Sequence, residues 1–204
     1  MKTIITIGRQ YGSAGHSIGK ILADDLGIKY YDKELLERAA KDSGLCQELF
    51  ENHDEKPTNS FLYSLVMDSY SFGYGSTMMD MPLNQKVFLA QFDAIKKISQ
   101  DGPCVIVGRC ADYILEDIPN HLNVFVYAPE EARLKNCVEN LQMDPQTAKK
   151  MMRDVDAARN RYHKAYIPGW QSVFDHKDLM IDSSRFGIDG TAKILADIVK
   201  NQWG

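Results

Sequence analysis

Apolar positions along the chain fall into two rhythms. Short, almost unbroken apolar runs at Thr3 to Ile7, Cys104 to Val107 and Asn123 to Tyr127 predict strands covered on both faces of a sheet. Ile28 to Tyr31 and Asp178 to Asp182 predict two more. Between them the period lengthens to about 3.6 residues, the repeat of an amphipathic helix. Ile18, Ile21, Leu22 and Leu26 predict a helix from about Ser17 to Leu26, stopped by Gly27. Lys33 to Ala40 starts another, and Val87, Phe88, Ala90, Phe92, Ile95 and Ile98 mark one that ends before Asp101-Gly102-Pro103. Pro129-Glu130-Glu131 opens a helix that carries Arg133 and runs to about Leu141. Asp144-Pro145 opens the next, to about Tyr166, and Ile188 to Trp203 closes the chain. Strands alternating with helices predict an α/β fold around a five-stranded parallel sheet. Cys46 to Met81, rich in Tyr and Met, keeps neither rhythm and reads as an insert.

At 204 residues, one domain with a single core is the expectation. The longest apolar runs are strand-sized and no signal-peptide pattern opens the chain, so a soluble, cytoplasmic protein without membrane attachment is expected. Cys46, Cys104, Cys110 and Cys137 have neither the spacing of a zinc site nor that of a redox pair, and read as reduced thiols. The net charge of -4 argues against a partner as large as a nucleic-acid duplex. Within that acidic chain, however, Lys149, Lys150, Arg153, Arg159, Arg161 and Lys164 gather against only Asp154 and Asp156, a patch suited to a small polyanion.

The densest chemistry follows the first strand. Gly8-Arg9-Gln10-Tyr11-Gly12-Ser13-Ala14-Gly15-His16-Ser17 leads into a helix as a phosphate-binding loop does. Against the pattern G-x-x-x-x-G-K-[ST], Gly15 and Ser17 fit, Gln10 replaces the first glycine and His16 replaces the lysine. Backbone amides of Gly12, Ser13, Ala14 and Gly15 and the helix dipole remain able to hold an anion. The missing permanent charge is expected from Arg9 or Lys20, with His16 charged part of the time, unless His16 merely packs at the surface. Ser17 is the candidate Mg²⁺-side hydroxyl, although serine is also common at a helix start.

Asp32 ends the second strand, and Gly108-Arg109 ends the third. Ligands of open parallel sheets bind beyond the carboxyl ends of the strands, which brings these residues toward the loop. Arg109 is suited to a bidentate pair with a phosphate, or with a carboxylate such as Asp32 or Asp112. Arg153, Asp156 and Arg159, three apart, are expected on one helix face, with Arg161 to its side. The rival reading is a solvated face of ion pairs.

The order of these segments resembles cytidylate kinase, and more closely its kinase-like offshoot, in which Gly-Ser-x-Gly replaces the lysine-bearing loop. The resemblance rests on Gly12 to Gly15, Tyr31-Asp32, Val105-Ile106-Val107-Gly108-Arg109, Ala128 to Arg133, Arg153 to Arg161 and Asp178 to Asp182. It implies a three-layer P-loop nucleotide kinase fold, with a helical acceptor-binding insert at about 45–85 and an arginine lid at about 145–170. It further implies an ATP- and Mg²⁺-dependent phosphotransferase acting on a nucleoside monophosphate or a similar phosphorylated acceptor. On that resemblance Gly12 to Ser17 hold the donor phosphates and Asp32, Arg109 and Asp156 face the acceptor. Arg153, Arg159 and Arg161, with Arg109, stabilise the transferring group. Small nucleotides are then the partners, and the insert is read either as a base pocket or as a homodimer contact. The alternative is a non-catalytic nucleotide-binding regulator that keeps a degraded loop. A dinucleotide oxidoreductase is the weakest reading, because Asp32 lies at a suitable distance but no G-x-G-x-x-G precedes it.

Overall fold

The computed structural model describes residues 3–32, 35, 38–39, 42 and 83–203. The expected insert therefore falls almost wholly outside the described residues, as does its reading as a base pocket or dimer contact.

Five parallel strands form one sheet: β1 (Ile4–Arg9), β2 (Lys29–Tyr31), β3 (Cys104–Val107), β4 (His121–Tyr127) and β5 (Leu179–Asp182), in the spatial order β2-β3-β1-β4-β5. The helices are α1 (Gly15–Leu26), α2 (Leu83–Asp101), the short α3 (Ala111–Ile114), α4 (Glu130–Glu139), α5 (Pro145–Tyr166) and α6 (Ser183–Trp203). Every strand the apolar runs predicted is present, and the boundaries move by a few residues. β1 runs on to Arg9 and β4 begins at His121, because register with β1 pairs Arg9 with Val126 and Ile4 with His121. α3 was not expected, since four residues are too few to show a period. α6 begins five residues before the expected Ile188, but its path is interrupted at Gly187 (φ 70°, ψ 179°), so the regular run still starts where the periodicity did.

The two faces of the sheet divide the core. Ile5, Ile7, Val105, Val107, Val124 and Val126 pack under α1 and α6 with Ile18, Leu22, Leu195 and Val199. The alternate positions Ile4, Cys104 and Ile106 pack under α2 and α5 with Phe88, Phe92, Ile95, Tyr162 and Tyr166. Period-two alternation of strand side chains puts successive residues on opposite sides, and both sides are covered, so the runs lack polar breaks. The result is a three-layer α/β fold, a parallel sheet with helices on both faces. Among the described residues no helix is long and apolar enough to cross a membrane.

Candidate functional site

The loop between β1 and α1 is held from outside through its carbonyls. Arg159 Nη1 donates to the Arg9 carbonyl at 3.2 Å, and Ser13 closes a turn on Gln10, whose carbonyl accepts from the Ser13 amide (3.3 Å) and Oγ (2.9 Å). Arg133 Nη1 donates to the Tyr11 carbonyl at 3.2 Å, Asn136 Nδ2 to that of Gly12 at 2.9 Å, and Ser183 Oγ to that of Ser13 at 2.8 Å. Five consecutive carbonyls, from Arg9 to Ser13, thereby each have a donor. Gln10 itself is not a failed glycine: its Oε1 accepts from the Ala128 amide at 3.2 Å and its own amide donates to Val126, pinning the loop to the end of β4.

At the other end of the loop, Ala14 adopts a left-handed backbone (φ 62°, ψ 18°) and supplies no side-chain cap to α1. The first intrahelical bond runs from the Ile18 amide to the Ala14 carbonyl, so the amides of Gly15, His16 and Ser17 have no partner within the helix. They open into a cleft lined also by Arg9, Gly12, Asp32 and Arg159. That combination of uncapped amides, helix dipole and two arginines can hold a phosphate.

His16 takes a different course from a lysine. Its Nδ1 lies 2.8 Å from Asp32 Oδ2 and 2.9 Å from the Tyr30 hydroxyl. Asp32 is only 8% exposed and its other oxygen accepts from Arg109 Nη1 at 2.9 Å. Burial by itself would raise the Asp32 carboxyl, but the charge and hydrogen bond of Arg109, with Arg9 and His16 behind them, hold it below the usual carboxylate range. Arg109, also buried, adopts a left-handed backbone (φ 57°) between Gly108 and Cys110, which do likewise, and donates to the Val107 carbonyl at 3.1 Å. Of the two carboxylates expected for Arg109, Asp32 is its partner. Asp112 instead pairs with Lys177, which the sequence analysis did not single out.

The cationic patch divides. Arg159 reaches the loop, and Asp156 accepts from the Tyr11 amide at 2.7 Å and from Arg133 Nη1 at 2.7 Å. Arg153 is mostly exposed beside Asp154 and lines a separate outer depression with Lys149 and Lys150, and Arg161 is exposed. The expectation of one shared face for Arg153, Asp156 and Arg159 is corrected by helical phase. Each step of three residues falls about 60° short of a full turn, so Arg153 and Arg159 diverge by about 120°: Arg159 lines the loop cleft, Arg153 the outer depression, and Asp156, midway, lines the outer depression but not the loop cleft. Arg161, two residues past Arg159, is rotated about 200° from it.

Ser17 lies exposed in the first turn of α1 within the cleft, and Ser13 is buried, its hydroxyl bonded to the carbonyls of Gln10 and Val126. Among the described residues no group of three His, Cys, Asp or Glu side chains is placed to hold a metal. Asn136 and Ser183, more than 120 residues from the loop they hold, carry no local signal that sequence reading could have caught, and Arg133, which the sequence places only on its helix, takes its role at Tyr11 from the fold.

With the fold and the loop in place, comparison with known proteins decides the family. The chain belongs to the cytidylate kinase-like family. It matches over residues 4–185, which include the loop, Asp32, Arg109 and the α5 cations. An uncharacterized protein from Eubacterium ventriosum ATCC 27560 has a similar solved structure, with TM-score 0.72 and 27% identity over 98% of this chain and 100% of its own. Shikimate kinase from Bacteroides thetaiotaomicron superposes with TM-score 0.57 at 12% identity, covering 98% of this chain and 99% of its own, a likeness of fold. TT1252 from Thermus thermophilus does so with TM-score 0.51 at 14% identity, covering 100% and 99%. No curated protein matches the chain.

Proposed function

We propose that this member of the cytidylate kinase-like family is an ATP- and Mg²⁺-dependent phosphotransferase whose acceptor is a nucleoside monophosphate or a similar small phosphorylated molecule. The observation that carries the reading is the loop itself. Its carbonyls are each held by a hydrogen-bond donor, Arg159, Arg133, Asn136 and Ser183 among them, while the uncapped α1 amides face a cleft that Arg9 and Arg159 also line.

Terminal phosphates of the donor would rest on the amides of Gly12 to Ser17. The same cleft extends past Asn136, Asn140, Leu141 and Ile188, which offer amide hydrogen bonds and apolar surface for a base. Mg²⁺ would be held by the Ser17 hydroxyl together with donor phosphates, where it would neutralise charge on the transferring group. Arg9 and Arg159 take the place of the lysine as permanent cations, because His16 is committed to Asp32. On the acceptor side Arg109 is oriented by Asp32 and the Val107 carbonyl before any ligand arrives, which limits the ordering cost of binding. An acceptor phosphate is already anionic near neutral pH, so these residues need only position it and balance its charge; no general base is required.

The tie of His16 to Asp32 is also what a non-catalytic nucleotide sensor would rest on, since it removes the side chain at the lysine position from the phosphates. ADP release from Mg-ATP is measured against CMP, UMP, AMP and GMP, with Arg159→Ala and Arg109→Lys as variants. Turnover with one acceptor, reduced at least tenfold in both variants, is the expected result. Calorimetric binding of ATP without turnover would favour the sensor, and failure to bind ATP would overturn both readings.

A further inference from the structure

Part of the basic patch on α5 faces away from the phosphate loop. Lys149, Lys150 and Arg153 are rotated about 80°, 180° and 120° around the helix from Arg159, the cation that reaches the loop. They line the outer depression, an open space of about 590 Å³ between α4 and α5, beside the buried seam of Cys137, Ala148 and Met152. Lys149 and Lys150 are exposed, and neither has a carboxylate partner among the described residues; Arg153 stands 3.1 Å from Asp154. Local electrostatics disfavours cations here. α5 has no acid in its first turn, its first charged side chains are Lys149 and Lys150, and Lys149 and Arg153 are like charges four residues apart. α4, by contrast, opens with Glu130 and Glu131. A cluster that goes against both helix rules in a concave place points to a ligand that balances it.

The acids that line the depression leave it cationic. Asp156 is paired with Arg133 Nη1 at 2.7 Å, which leaves Lys149, Lys150 and Arg153 against Glu130. Met152 is the one apolar side chain among the described residues that line it, so a ligand is recognised there by charge and hydrogen bonds rather than by a ring. Lys149 and Arg153 are about 6 Å apart along the helix axis, a span that linked phosphates bridge. Two helices bound the space, which suits a small molecule rather than a duplex on a chain of net charge -4. The depression also meets two of the loop's supports. Arg133 Nη1 donates to the Tyr11 carbonyl at 3.2 Å, and Asp156 accepts from the Tyr11 amide at 2.7 Å. Arg133 Nε is buried without a hydrogen-bond partner, so this guanidinium has a donor to spare. An anion beside Lys149 and Lys150 therefore competes with the Tyr11 carbonyl for Arg133.

We infer that the depression between α4 and α5 is a second anion site, separate from the phosphate-loop cleft, which takes a small molecule carrying two or more linked phosphates. Lys149 and Lys150 are its principal contacts, with Arg153 beside them. By drawing on Arg133, occupancy releases the Tyr11 carbonyl and weakens ATP at the loop, and ATP weakens the outer ligand by the same factor. The site itself stands apart from the phosphotransferase reading, and its effect on the loop rests on the loop holding ATP.

The full 204-residue chain is acetylated at its lysines with and without inorganic tripolyphosphate, and the rate at each lysine is read by peptide mass mapping. Lys149 and Lys150 should react at least fivefold more slowly with tripolyphosphate present, while Lys193 and Lys200, exposed on α6, change less than twofold. Calorimetry should show tripolyphosphate binding at least tenfold more tightly than inorganic phosphate. The double variant Lys149→Gln, Lys150→Gln, at exposed positions, should lose one tripolyphosphate site per chain without a fall in Tm. Tripolyphosphate should also raise the apparent Kd for ATP more steeply in the wild type than in that variant, where only direct competition at the loop remains. Equal protection of all lysines, equal affinity for tripolyphosphate and inorganic phosphate, the same number of sites in both proteins, or an equal effect on ATP would each overturn the inference. Protection of Lys149 and Lys150 in a protein that does not bind ATP would remove the loop reading and leave the outer site. ATP binding with those two lysines unprotected would do the reverse.

Discussion

Gly12 and Gly27 share a left-handed backbone, and replacing each by alanine separates the conformational cost of that backbone from the steric cost of the loop's position. Gly27, after α1, has φ +63° and nothing within 4 Å of the place a Cβ would take. Gly27→Ala meets only the left-handed penalty of about 1–2 kcal/mol, partly offset by about 0.4–1 kcal/mol from a less flexible unfolded chain, so the net loss is about 1 kcal/mol. Gly12 has φ +81°, and its Cβ would stand 2.9 Å from the Arg133 carbonyl oxygen and 2.9 Å from Cys137 Sγ. The carbonyl is backbone of α4, which cannot swing aside as a long side chain would. Forced packing of this kind adds about 1–3 kcal/mol, which brings Gly12→Ala to about 2–4 kcal/mol. For a chain of this size each kcal/mol lowers Tm by about 2–4 °C, so calorimetry should read a drop of about 2–4 °C for Gly27→Ala and of about 4–16 °C for Gly12→Ala. Because Asn136 fixes the Gly12 carbonyl, the same displacement should weaken ATP binding in Gly12→Ala and leave it unchanged in Gly27→Ala. Equal stability losses in the two variants would refute the reasoning, since they would mean that α4 does not press on the loop.

Asp112→Asn should destabilise the fold by about 3–5 kcal/mol, because it strands the buried Lys177 ammonium without its carboxylate. Burial pushes the Asp112 carboxyl up, but Lys177 and His163 outweigh it and hold it low, as Arg109 does for Asp32. Depressed folded values mean that the unfolded chain takes up protons first on acidification. The stabilisation is therefore complete above the unfolded carboxylate value of about 4 and is lost as pH falls below it through the folded values. Urea midpoints measured from neutral pH downward should fall below about pH 4 in the wild type, and less steeply in Asp112→Asn. Burial pushes the Cys104 thiol up to about 12, and Cys110 and Cys137 are equally enclosed, so alkylation of the native protein at mildly alkaline pH should leave all three unmodified by peptide mass mapping. Fast labelling of Cys137 would instead show that α4 opens from the loop.

Much of this protein was legible before folding. Strands buried on both faces advertise themselves as unbroken apolar runs, and helices packed on one side keep a period near 3.6, so β1 to β5 and the long helices could be read from spacing alone. The position of the candidate loop was legible for the same reason: a strand, a glycine-bearing turn and a helix start are consecutive in sequence, and the amides that face the cleft belong to that helix start. Asp32 and Arg109 could be placed near it because both end strands of a parallel sheet, although their pairing required β2 and β3 to be seen side by side.

Only the tertiary structure decided what shapes the loop and divides the cations. The donors that hold its carbonyls come from α4, α5 and α6, and no local pattern links Asn136 or Ser183 to Gly12 or Ser13. His16 stands at the lysine position in sequence, yet its side chain goes to Asp32, because the ends of α1 and β2 meet in space. The separation of Arg153 from Arg159 follows from 3.6 residues per turn, but which side of α5 meets the loop is fixed by the burial of Tyr162 and Tyr166 against α2. Local periodicity writes elements and their order into the sequence, whereas a site assembled from side chains on four elements exists only once those elements pack.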